Sequence, residues 1–138
     1  MLQPPTALIA VAIAVLVTGT ATPQDADRAA PAVKHVMATM TVPASDAIFS
    51  AASERPKDER QWVALRASAE ALAESGRLLT TADRAKNDTE WIEMARALVT
   101  EAEATMRAVK AKDPDALTQA GDNLYLTCKT CHARYMGQ

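Results

Sequence analysis

The segment CKTCHARYM (128–136) holds the two cysteines of the chain, Cys128 and Cys131, with His132 directly after the second. On a helix, thiols three residues apart share a face, and the imidazole that follows lies beside them. The pattern C-x-x-C-H is the attachment sequence for c-type haem. Two vinyl groups on adjacent pyrrole rings can each take one thiol as a thioether, and the histidine approaches the iron from the same side. Cys128 and Cys131 are therefore read as covalent attachment points for one haem c, and His132 as the proximal axial ligand.

Other chemistries suit these residues less well. A dithiol redox pair belongs at the start of a helix, where the dipole lowers a thiol pKa; this one falls near the end of a helical pattern. A structural zinc site takes four ligands, and only His35 remains to join Cys128, Cys131 and His132. A disulfide at this spacing within a regular helix is strained. A helical interaction domain carrying a CxxC thiol pair without haem stands as the alternative from another class.

Four helical segments must position the motif. The first covers about 28–53, with Pro31 suited to its first turn and Val33, Val36, Met37, Met40, Ala44, Ala47 and Ile48 at helical spacing. Pro43 removes one backbone donor and is expected to kink or split this helix near Thr41–Val42. The second covers about 57–80, with a seam of Trp62, Leu65, Ala69, Leu72, Gly76 and Leu79. The third, about 88–112, has Asn87 and Glu90 as cap and partner and an inward face of Trp91, Met94, Ala95, Leu98, Ala102, Met106 and Val109. Asp113–Pro114 opens the fourth, about 114–136, whose stripe is Leu117, Gly121, Leu124, Cys128, Cys131 and Tyr135. Long helices with short linkers become antiparallel neighbours, so the expected fold is all-α, an up-down-up-down four-helix bundle. Its apolar face is rich in Ala and Met and poor in aromatics, a composition that suits enclosing a haem.

The uncharged run ALIAVAIAVLVTG (7–19), followed by small residues, reads as a secretory signal spanning 1–21. The expected mature bundle is 22–138, located in the periplasm, where c-type maturation fits. Membrane attachment follows only if this segment stays uncleaved. All 15 Lys/Arg and 17 Asp/Glu lie beyond Ala21, for a net charge of −2, and no basic stripe for nucleic acid is present.

A C-x-x-C-H motif late in a four-helix bundle, after an export signal, resembles the class II cytochromes c, the family of cytochrome c′. CKTCHARYM resembles that family's C-terminal motif, with Arg134 and Tyr135 as the basic and aromatic residues after the histidine. The stretch VKHVMATMTVPASDAIF resembles the first helix of its Met-ligated members. The resemblance implies that Met37 is the distal axial ligand, with Met40, one turn on, as second choice. His35 lies about 160° from Met37 around the helix and reads as a surface residue. With His/Met ligation the protein carries single electrons to and from periplasmic redox partner proteins and is not an enzyme. The alternative is five-coordinate iron that binds NO or CO. Dimerisation through the first two helices is frequent in the family. Trp62 and Trp91 read as core residues, and Lys34, Lys129 and Arg134 as solvated side chains within reach of haem propionates.

Overall fold

A computed structural model describes residues 32–82, 85 and 88–136; the expected signal segment, its cleavage site and Pro31 lie outside these. Among the described residues the chain is all-helical, with four helices and no strand. Helix α1 comprises Val33–Val36, a π-helical turn Met37–Thr41 and Val42–Ser53. Helices α2 (Glu59–Thr80), α3 (Thr89–Ala111) and α4 (Pro114–Tyr135) follow. Around the bundle α1 packs on α2, α2 on α3, α3 on α4 and α4 on α1. No described helix is long and apolar enough to cross a membrane.

The helix boundaries follow local chemistry. Asp58 caps α2 by accepting a hydrogen bond from the Gln61 N–H, and Asp113 caps α4 by accepting from the Asp115 and Ala116 N–H groups, with Pro114 in the first turn. The α3 cap differs from the sequence expectation. Asp88 accepts from the Trp91 N–H at 3.0 Å and caps a helix that begins at Thr89, while Asn87 lies outside the described residues. Helix α3 ends at Lys112, whose φ of 52° closes it in the left-handed region.

Pro43 was expected to kink or split α1 near Thr41–Val42, and it does not split it. The helix stays continuous, with right-handed dihedrals at Met37, Thr41 and Val42, but widens over Met37–Thr41 so that the Val42 N–H donates to the Met37 carbonyl, five residues back. The proline ring crowds the carbonyl four residues before it, and a wider turn gives that group room. The Thr39 and Thr41 hydroxyls donate to the His35 and Val36 carbonyls, two acceptors just before the turn.

The core joins Ile48 from α1, Leu72 from α2, Ala102 from α3, and Leu117 and Leu124 from α4, all fully buried. Two glycines set how closely the helices approach. A Cβ on Gly76 would lie 2.7 Å from Val99 Cγ2 and 3.2 Å from the Ala95 carbonyl oxygen, and one on Gly121 would lie 2.9 Å from Ala52 Cβ. Near that second contact, Thr118 donates its hydroxyl to the Ala52 carbonyl at 3.1 Å, and Arg55 pairs with Asp115. The β-branched Val99 cannot yield without backbone movement, so Gly76→Val should destabilise the protein by about 2–3 kcal/mol, read as a lowered urea midpoint with far-UV circular dichroism unchanged before the transition.

Candidate functional site

The last turns of α4 carry Cys128, Cys131 and His132 along one side, and that side borders a cavity of about 520 Å3 between α1, α3 and α4. Its walls are largely apolar. Helix α1 supplies Met37, Val42 and Phe49, and α3 supplies Trp91, Met94, Ala95 and Leu98. Leu79 comes from the end of α2, and Tyr125 from α4. Protein interiors pack to crystal-like density with few voids larger than a water molecule. A space of this size and lining is therefore in the range of small-molecule and cofactor sites.

Each residue predicted from sequence has a definite place. Cys128 and Cys131 are half-buried on the cavity wall, as thiols rather than a disulfide. His132 is exposed at the rim and also lines the cavity. Met37 reaches the same cavity from α1, half-buried, whereas Met40 is not among the lining residues and His35 is exposed. Lys129 lines the cavity and is exposed, and Lys34 is exposed. Among the described residues no three His, Cys, Asp or Glu side chains gather as a metal-binding group.

Burial pushes the Cys128 thiol pKa up, and the neighbouring Cys131 adds to the rise. A thiol held in this way forms little thiolate near neutral pH, the opposite of what a dithiol oxidoreductase needs. Position near the helix C-terminus, with its partial negative charge, acts in the same direction. The arrangement suits sulfurs that hold a group rather than exchange disulfides.

The first turn of α3 fixes the end of α4. The Tyr135 hydroxyl donates to Asp88 Oδ2 at 2.8 Å, while Oδ1 of the same carboxylate caps α3. The Tyr135 ring meets Trp91 edge-on with centroids 5.0 Å apart. Trp91 is buried, lines the cavity, and donates its indole N–H to the Leu79 carbonyl at 2.8 Å. Arg134 pairs with Glu90 at 3.0 Å and lies 5.5 Å from the Tyr135 ring centroid. Trp91 thus packs in the core and faces the cavity at once, and Arg134 is exposed as expected but also paired with Glu90 of α3.

Several cavity residues were not expected from the sequence, among them Thr41, Ser45, Phe49 and Tyr125. With Met37, the first three form a strict four-residue repeat, 37-41-45-49, that an apolar-only search passes over because two members are hydroxyl residues. Phe49 and Tyr125 pack edge-on at 6.2 Å, joining α1 to α4 beside the cavity.

No family model, curated protein or solved structure matches the chain.

Desolvation and the hydrogen bond to Asp88 push the Tyr135 pKa up to about 12, above the ordinary value of about 10. The fold therefore favours the neutral phenol. Its contribution to stability is complete below about pH 10 and is lost as pH rises from there through about 12. Urea midpoints measured at pH 8, 10 and 11 should fall more steeply for the wild type than for Tyr135→Phe, with the two curves converging at the alkaline end.

Proposed function

We propose that this chain is a periplasmic c-type cytochrome of the class II type, an antiparallel up-down-up-down bundle that carries single electrons through one covalently bound haem c. A single observation carries the reading: Cys128, Cys131 and His132 of the C-x-x-C-H motif line one apolar cavity, and Met37 lines it from another helix. The residues present fit the group. The cavity is cofactor-sized and has two half-buried thiols on one wall. A histidine sits next to them and a thioether sulfur comes from α1.

Bound there, haem iron would supply reversible one-electron exchange, with no bond made or broken in a substrate. Cys128 and Cys131 would tether the group through two thioethers, so it stays in place whatever its oxidation state. His132 would hold the iron through its imidazole. Met37 would hold it through its thioether sulfur, and methionine ligation raises the reduction potential. The apolar walls from α1 and α3 would limit water access, a second control on potential. Tyr135, Arg134 and Asp88 would keep the histidine-bearing turn seated on α3.

Expression with a cytochrome maturation system tests this directly. Acid–organic extraction should leave the pigment on the polypeptide, and Cys128→Ser/Cys131→Ser should carry none. The oxidised protein should be low-spin with a sulfur-to-iron charge-transfer band. Met37→Ala should lose that band, lower the reduction potential and gain CO binding in the ferrous state, while Met40→Ala retains the band. Rapid CO or NO binding by the ferrous wild type would instead establish five-coordinate iron and gas binding. Apoprotein alone after proper maturation would remove the haem reading altogether.

A further inference from the structure

The widened turn of α1 has a geometric effect on which side chain enters the cavity. Successive residues of an α-helix are rotated by about 100°. With Ser45 as reference on the cavity wall, an uninterrupted α-helix would put Ala38 about 20° away around the axis and Met37 about 80° away. Ala38 would then face the cavity, and Met37 would lie on its flank. A single π-helical turn is equivalent to one extra residue in the helix, so everything before it is turned back by one residue's rotation. Met37 thereby takes the angular position of Ala38.

The observed surroundings agree with this displacement. Met37, Thr41, Ser45 and Phe49 line the cavity, while Ala38 is exposed. The turn covers Met37–Thr41, directly before Val42 and Pro43. Pro43 is the one residue in this stretch that cannot donate a backbone hydrogen bond, and in a regular α-helix its ring would press on the carbonyl of Thr39. Pro43 is itself exposed, so it acts on the cavity only through the backbone it reshapes.

We propose that Pro43 is a positioning residue: by maintaining the π-helical turn it selects Met37, and not Ala38, as the side chain presented to the cavity. The inference rests on the cavity-facing role given to Met37 under the proposed function, but its geometric part does not depend on haem.

Peroxide oxidation of individual methionines in the full chain, followed by mass spectrometry, tests it. In the wild type Met37 should react more slowly than Met136, which is 73% exposed. In Pro43→Ala the turn relaxes, and Met37 oxidation should rise several-fold toward the rate of Met136. Adding Ala38→Met to Pro43→Ala should yield a protected Met at position 38, whereas Ala38→Met with Pro43 in place should give a rapidly oxidised one. In pigment-bearing protein the sulfur-to-iron band should be lost in Pro43→Ala and return in Pro43→Ala/Ala38→Met, an exchange that mere loss of stability cannot produce. Unchanged Met37 oxidation in Pro43→Ala, or protection of Ala38→Met beside an intact Pro43, overturns the proposal. Absence of the band from the wild type, with the oxidation pattern as expected, sinks methionine ligation while upholding the role of Pro43.

Discussion

Close packing between α2 and α3 and an apolar cavity between α1, α3 and α4 are two sides of one constraint. Gly76 lets the α2 backbone approach Val99 and Ala95 so closely that a single methyl group would collide. Small residues such as Ala69, Ala73, Ala95 and Ala102 fill the same core with little volume. Side chains of this size cannot also fill the space near the end of α4, which remains as a cavity with apolar walls. Interiors normally exclude such spaces because their lining loses dispersion contacts. The fold must therefore hold the walls of this space apart by contacts elsewhere.

Those contacts are concentrated at the cavity end. Asp88 joins two tasks, capping α3 with one carboxylate oxygen and accepting the Tyr135 hydroxyl with the other. Trp91 ties the same turn to the end of α2 through Leu79 and supports Tyr135 with its edge. Arg134 and Glu90 add an ion pair that is about half exposed and thus contributes modestly. At the other end, Thr118 bonding to Ala52 and the contact at Gly121 seat the start of α4 on the end of α1. Helix α4 is thus anchored at both ends, and its motif-bearing face has little freedom to turn away from the cavity.

Much of this fold was legible in the amino-acid order. Helical spacing of Trp62, Leu65, Ala69, Leu72, Gly76 and Leu79 predicted the buried face of α2, and all six are buried. Asp113–Pro114 marked the start of α4 through a cap and a first-turn proline, both local devices. Asn and Asp are equally good caps and adjacent here, so the amino-acid order left the cap open between them, and α3 is capped by Asp88. Cys128, Cys131 and His132 border one cavity together because their spacing keeps them on one side of a single helix.

Tertiary structure decided what spacing alone leaves open. Helical periodicity assumes 3.6 residues per turn throughout, and the widened turn at Met37–Thr41 departs from it, so the 37-41-45-49 row on the cavity wall does not follow from that period. Thr41 and Ser45 as cavity residues, and the link from Asp88 to Tyr135, join positions by geometry that no hydrophobic pattern encodes. The sequence by itself determined helix positions, caps and the thiol–imidazole motif, because these arise from interactions within a few residues. Which side chains meet across the cavity was left to the packing of four helices, since it depends on backbone rotation and interhelical distance.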